Sequence, residues 1–272
     1  VTFTHYGYIK RQPTDVYKIQ KRGGRGVSGM KQREEDFVEE MFISSTHDNV
    51  LFLTNKGRMF KLKCYEIPEG SRTSKGMNIA NLLPITAEEK VTSMIRVPEF
   101  DEEKYLVMVT RNGIIKRTLL SAYNSARKGG LIAIELDEGD ELAWVRVTDG
   151  SNELIVATKK GMAIRFHERD VRLVGRTARG VKAITLGEDD CVVGMARLRE
   201  GGKVLTVSET GYGRLSPISD YRIQYRGGKG LLNYHVDKYG DVAAIKVVDM
   251  DDDIILISVE GIIIRMHVAD IN

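Results

Sequence analysis

The chain is poor in the residues that build metal centres and disulfide frameworks. Its 272 residues include two cysteines, Cys64 and Cys191, which stand far apart and outside any paired-ligand spacing. They read as buried reduced thiols rather than as a zinc site or a disulfide. The histidines His5, His47, His167, His235 and His267 are scattered, and none forms the i, i+4 pair of a helical metal site. No metal and no cofactor is expected. No apolar run approaches the roughly 18 residues needed to cross a bilayer. The opening VTFTHYGYIKR has neither the apolar core nor the small-residue cleavage site of a signal peptide. These features predict a cytoplasmic chain with no membrane partner. An excess of one charge is missing as well, since the formal net charge is +3. That balance argues against nucleic-acid binding by the whole surface and leaves room for a segregated basic face.

What the chain has in quantity is self-similarity, the first thing to seek in a sequence of this length. An apolar strand, then Thr or Ser, two residues, Gly, and a second strand carrying Lys or Arg recur six times. The copies are VTFTHYGYIKR, VLFLTNKGRMFKL, YLVMVTRNGIIKR, LIVATKKGMAIRF, VLTVSETGYGRLS and ILISVEGIIIRMH. Their turn glycines are Gly7, Gly57, Gly113, Gly161, Gly211 and Gly261, at intervals of 50, 56, 48, 50 and 50 residues. A second landmark, a cation followed by glycine, comes after the first five copies as Arg25-Gly26, Lys75-Gly76, Lys128-Gly129, Arg179-Gly180 and Lys229-Gly230. It lies 19, 19, 16, 19 and 19 residues beyond the turn glycine.

Two more short apolar segments follow in each unit. The third-strand segments are GVSGMKQR, MNIANLL, LIAIEL, VKAITL and LLNYHV, and the fourth are EEMFISS, VTSMIRV, ELAWVRV, CVVGMARL and VAAIKVV. Short runs of Val, Ile, Leu and Met bounded by turn residues read as strands. Four strands per unit of about 50 residues is the arithmetic of a propeller blade. The prediction is one all-β domain over 1–272, with repeats near 1–48, 49–103, 104–151, 152–201, 202–252 and 253–272, the last partial. Turn glycines have a structural reason to recur, because a short hairpin loop favours a residue with φ > 0. Trp144, in a fourth strand, reads as packing.

Charge follows the repeat. The connection between strands two and three ends in cations every time, while the connection between strands three and four is acidic: Glu34-Glu35-Asp36, Glu88-Glu89, Asp137-Glu138-Gly139-Asp140, Glu188-Asp189-Asp190, and Asp237 with Asp241. Any one such loop reads as solvated surface. Five in phase predict a basic track and, if the strands alternate simply, an acidic edge opposite it. Duplex DNA, with about one negative charge per 1.7 Å, suits that track, because Arg and Lys supply charge and glycine lets backbone N–H groups approach phosphate. Sequence-specific reading is not indicated, since no helix carries base-reading side chains. Tyr17, Tyr123 and Tyr225 near the basic turns would serve a DNA contact or a protein partner, and a protein-interaction propeller is the second class of reading. A central catalytic site is the third. Its best candidate, Asp251-Asp252-Asp253, sits in a turn before a strand, and GSRTSKG lacks the ending of a Walker loop.

The first basic turn, QKRGGRG, resembles the signature box of the C-terminal domain of gyrase A, part of the bacterial type IIA topoisomerase DNA gyrase. The hairpin repeats and basic turns extend the resemblance over essentially the whole chain. It implies a six-bladed propeller-like spiral, the β-pinwheel, that wraps DNA around its outer rim and presents a segment to the gate of the full enzyme for negative supercoiling. The box carries over onto Gln20, Lys21, Arg22, Gly23, Gly24, Arg25 and Gly26, with Lys21 where the family more usually has Arg. The in-phase cations Lys75, Lys128, Arg179 and Lys229 extend the expected DNA contact, as do Arg72, Arg176 and Arg226, which hold the place of Arg22; repeat 3 has Ser125 there. QYRGGKG in repeat 5 is nearly a second box, either a further phosphate clamp or a loop kept for its shape. Either the last blade is partial or the ring has five complete blades. The implied partners are double-stranded DNA, the rest of gyrase A, and gyrase B. The domain alone is expected to be a monomer without catalysis, acting on the nucleoid. The related domain of topoisomerase IV, which shares the fold and usually lacks an intact box, is the nearest rival.

Overall fold

The computed structural model describes residues 1–14, 36–260 and 262–271. Each repeat opens with the expected antiparallel hairpin, from Thr2–Thr4 with Tyr8–Lys10 at the start of the chain to Asp253–Ile257 with Ile263–His267 near its end. Both fixed residues of the hairpin signature have a visible cause. The turn glycines Gly7, Gly57, Gly113, Gly161 and Gly211 all have positive φ, a conformation that costs glycine little. The Thr or Ser three residues earlier accepts a hydrogen bond from the N–H that follows the glycine: Thr4 from Tyr8, Thr54 from Arg58, Thr110 from Ile114, Thr158 from Met162, Ser208 from Tyr212 and Ser258 from Ile262. The side chain thus supplies a partner to a backbone donor at the start of the second strand.

The blades exchange strands. In repeat 2 the hairpin Asn49–Thr54 and Arg58–Lys63 pairs on one edge with its own fourth strand, Val91–Val97. On the other edge it takes Leu131–Ile132, the third strand of repeat 3. The same rule places Met77–Asn78 on the hairpin of repeat 1, Val181–Lys182 on that of repeat 3 and Leu231–Leu232 on that of repeat 4. Four of the sheets therefore have four strands, three from one repeat and one from the next, while the fifth has three strands and the sixth two. The third-strand segment of repeat 1, GVSGMKQR, lies outside the described residues. Among the described residues the only α-helix is the four-residue Val236–Tyr239, joined by short 3₁₀ turns after the hairpins.

First strands are buried on both faces, which explains their unbroken apolar runs. In Asn49–Thr54 the side chains of Val50 and Phe52 pack toward repeat 1, and those of Leu51 and Leu53 toward repeat 3. Strand alternation sends successive residues into two different inter-blade cores. Leu106 and Met108 likewise part from Val107 and Val109, and Leu154 and Val156 from Ile155 and Ala157. Fourth strands of successive repeats lie against one another, close enough that a Cβ on Gly194 would come within 2.5 Å of the Ile245 side chain. They form the inner edge of the ring, and the donated third strands form the outer one. In the last hairpin Ile254 is packed, but Ile255 and Ile264 are exposed.

Candidate nucleic-acid interface

The basic turns are carried on the outer edge by a lattice of backbone and cation contacts. After the hairpins of repeats 2 to 5 the chain makes a 3₁₀ turn and then runs beside the second strand of the preceding repeat. Arg11 bridges Glu69, Arg117 bridges Leu173 and Arg165 bridges Ile223, each in parallel. The cation four residues beyond the turn glycine fastens this path. Arg11 donates to the carbonyl of Ile67, Lys61 to that of Asn124, Arg117 to that of Val171 and Arg165 to that of Tyr221. All four acceptors are the residues that close the 3₁₀ turns of the next repeat. A helical end leaves carbonyls without internal partners, and here a cation from the neighbouring blade supplies one. The Lys or Arg that recurs in the second strand is thus a tie between repeats, a role its position in the sequence did not disclose.

The landmark glycine marks the point where the chain passes onto the preceding blade. Gly76, Gly180 and Gly230 have positive φ, and a Cβ on them would fall 2.5, 2.5 and 2.3 Å from the carbonyl oxygens of Ile9, Ile115 and Ala163. The third repeat differs from the sequence expectation. Gly129 faces open space, and it is Gly130, at φ +87 and directly before the donated strand, whose Cβ would meet the Phe60 ring at 2.6 Å. The landmark there lies 17 residues after Gly113 rather than 16. Ala126, not Ser125, then takes the place of Arg72, Arg176 and Arg226, and it is fully buried. The gap in the row of arginines persists.

The box residues Gln20, Lys21, Arg22, Gly23, Gly24, Arg25 and Gly26 lie outside the described residues, as does Tyr17. The other predicted cations are brought to the outer edge but differ in what holds them. Arg72 is exposed at its turn. Lys75 sits over the Tyr8 ring of the preceding blade, 3.9 Å from its centroid, in a cation–π contact. Arg176 donates to the carbonyl of Ile132, and Arg226 to that of Lys182, so each guanidinium also grips the strand donated by the previous repeat. Arg179 forms a two-pronged pair with Asp137, at 2.5 and 2.6 Å. That hydrogen-bonded pairing holds the Asp137 carboxyl below its ordinary range and raises the Arg179 guanidinium. Lys128 and Lys229 are exposed and make no ion pair among the described residues.

Two expectations about the surface need correction. The basic and acidic connections are not cleanly opposed, because the strand exchange brings Arg179 of repeat 4 against Asp137 of repeat 3. Several acidic residues have a structural task instead: Asp36, Asp140 and Asp190 each accept from a backbone N–H of their own hairpin turn, those of Tyr6, Asn112 and Lys160. Tyr123 is not available for contact, since it is fully buried and hydrogen-bonds the Ala133 carbonyl. Tyr225 is exposed at 66%, and Leu173, Ile223, Ile132 and Leu232 join it at the rim, so the outer edge is more apolar than its charged motifs suggested. The Asp251-Asp252-Asp253 run is a turn whose last member pairs with Arg265 and His267 at the start of a strand. No helix among the described residues is long and apolar enough to cross a membrane.

Fold and rim together define a propeller of strand-exchanging blades that, among the described residues, presents a glycine-bounded cationic turn from each of repeats 2 to 5 on its outer edge. The sequence pattern of the family described as "DNA gyrase C-terminal domain, beta-propeller" matches residues 1–45, 48–98, 104–149, 152–199, 202–249 and 252–272, and the chain belongs to that family. It is 52% identical over its full length to the gyrase A protein of Clostridium acetobutylicum, of which it covers 33%. It is 45% identical to the gyrase A protein of Staphylococcus aureus, of which it covers 31%. The chain therefore spans about a third of the length of the curated relatives it matches. Among solved structures it resembles the C-terminal domain of DNA topoisomerase IV, with a TM-score of 0.87 at 28% identity, covering 100% of this chain and 84% of that one. It also resembles a DNA gyrase A C-terminal domain, with a TM-score of 0.76 at 28% identity, covering 98% of this chain and 88% of that one.

Proposed function

We propose that the chain binds the backbone of duplex DNA along its outer rim, bends the duplex and wraps it without reading sequence. The observation that carries this reading is the recurrence of one cationic, glycine-bounded turn at the outer edge from each of repeats 2 to 5. Bending a duplex by 40 to 90° over 20 to 30 bp costs on the order of 1 to 6 kcal/mol by elastic estimates. A curved row of phosphate contacts offsets that cost. Within a longer gyrase A protein, and together with gyrase B in the bacterial cytoplasm, the wrapped segment would be delivered to the DNA gate for negative supercoiling. The chain itself supplies binding and geometry rather than catalysis, and acts as a monomeric module on the nucleoid.

The test is ligation of nicked plasmid in the presence of the chain and of its Arg22→Ala/Arg25→Ala variant, across a salt series. A shift in linking number that the variant loses, with affinity falling by roughly 10³ to 10⁵ between 50 and 200 mM salt if six to ten phosphates are engaged, supports wrapping. Binding with no topological shift favours the second reading, a topoisomerase IV-type domain that bends DNA without a full wrap. The structural likeness to that enzyme's C-terminal domain gives this reading its weight. Failure to bind DNA leaves a protein-interaction propeller.

A further inference from the structure

Three residues past the turn glycine, the odd repeats carry Lys10, Lys116 and Arg214, and the even ones Phe60, Ile164 and Ile264. The first two lysines are fully buried. Each ammonium lies beneath the basic turn of the next repeat; Lys10 takes three of its carbonyls and Lys116 takes one. Lys10 donates to the carbonyls of Ser71, Arg72 and Ser74, at 2.8, 3.0 and 3.0 Å. Lys116 donates to the carbonyl of Arg176, to that of Ala133 and to the Tyr123 hydroxyl. Repeats 2 and 4 share a turn sequence to match, Arg-Thr-Ser-Lys-Gly and Arg-Thr-Ala-Arg-Gly, whereas repeats 1 and 5 have Arg-Gly-Gly followed by a cation and Gly. The turn of repeat 5 lies over Ile164 and is held instead by Thr185, whose N–H and hydroxyl donate to the carbonyls of Gly228 and Gly227.

A planar trans peptide points its N–H opposite to its carbonyl. With the carbonyls of Arg72 and Ser74 drawn inward to Lys10, the N–H groups of Thr73 and Lys75 are turned away from it. The Arg176 carbonyl, drawn to Lys116, turns the N–H of Thr177 away in the same manner. Successive outward N–H groups beside cations form an anion-receiving concavity. Burying an ammonium is costly unless its donors are satisfied, and desolvation lowers the pKa of Lys116 to about 7. An apolar residue is compatible with the same place in the fold, as Ile164 shows. The lysines are therefore retained at a cost the blade itself does not require.

Resting on the DNA-backbone reading above, we propose that Lys10 and Lys116 are positioning residues. Lys10 holds the turn of repeat 2, and Lys116 the Arg176–Thr177 peptide of repeat 4, with carbonyl inward and N–H outward, ready for a DNA phosphate that neither lysine touches. The described rim then carries two kinds of phosphate site, the clamped turns of repeats 2 and 4 and the glycine-rich turn of repeat 5.

The test compares the chain with its Lys10→Ile/Lys116→Ile variant on a duplex of about 150 bp, one persistence length, together with amide exchange of both DNA-free proteins. The expected result is a thermal midpoint that does not fall and faster exchange in residues 71–75 and 175–179. Affinity should drop about three- to tenfold, the scale of re-ordering a few residues on binding. The dependence of log affinity on log salt should stay the same, because a lysine that met phosphate itself would lower that slope by about one. Unchanged affinity, unchanged exchange, a lowered salt slope, or a thermal midpoint that falls with affinity would each overturn the proposal. A wild-type chain that binds no DNA removes the reading beneath it and the phosphate role with it, while the exchange data separately report whether the clamp exists.

Discussion

The turns of repeats 4 and 5 share the spacing of an arginine, a second cation and a glycine, and are built differently. Residues 175–180 rest on a buried lysine and commit their last cation, Arg179, to Asp137. Residues 224–230 rest on Ile164, expose Tyr225 and leave Lys229 without an ion pair among the described residues. The difference teaches that a cation in phase with the repeat is not the same as a cation available to a ligand. What the two turns share is the crossing onto the preceding blade, where a glycine lies against a carbonyl in both. The largest effect should come from that common element. Gly180→Ala would put a Cβ about 2.5 Å from the Ile115 carbonyl oxygen at a φ of +100. Left-handed backbone for a non-glycine residue costs on the order of 1 to 3 kcal/mol before the clash is added. A urea melt should therefore show a loss of at least about 2 kcal/mol. A near-neutral result would mean that the crossing is pliable and that the glycine is kept for its approach to DNA.

The next effect separates the turns. Lys229→Ala should weaken DNA binding more than Arg179→Ala, because Arg179 is already paired and would have to leave Asp137 to reach phosphate. Lys229→Ala should lower the salt slope by about one, the signature of one lost phosphate contact. Arg179→Ala should lower it by roughly half of that or less, because its guanidinium is already matched by the Asp137 carboxylate. Anisotropy titrations at several salt concentrations measure both. Equal losses would show that Asp137 gives up its partner freely and that the two turns are equivalent toward DNA.

Much of this was legible in the sequence, for a definite reason. The hairpin signature is set by local chemistry, a glycine at positive φ and a hydroxyl that accepts from a nearby N–H, so its six copies and the strands around them could be read directly. The exchange of third strands could not, because Leu131–Ile132 pairs with Arg58 and Met59 across more than one repeat, and nothing local says which hairpin a two-residue strand will join. Everything that follows from the exchange was hidden with it: the Arg179–Asp137 pair, the cations that close 3₁₀ turns of the next repeat, and the burial of Tyr123. The alternation of Lys10 and Lys116 with Phe60 and Ile164 is plain in the aligned repeats, yet its meaning depends on knowing that a neighbour's turn lies above each side chain.

The smallest expected effect tests how the repeats are aligned. Counting cation-then-glycine selects Gly129 as the landmark of repeat 3, whereas the geometry selects Gly130, which immediately precedes the donated strand and presses on Phe60. Nothing lies within 4 Å of a Cβ on Gly129, and its φ is not positive. Gly129→Ala should therefore change stability by less than about 0.5 kcal/mol, or raise it slightly by restricting the unfolded chain. Its DNA affinity should also hold, because Lys128 keeps its place on the exposed turn. If Gly129→Ala were instead as damaging as Gly180→Ala, the landmark would be the cation-glycine pair itself, and repeat 3 would have to cross onto its neighbour one residue earlier than the described backbone does.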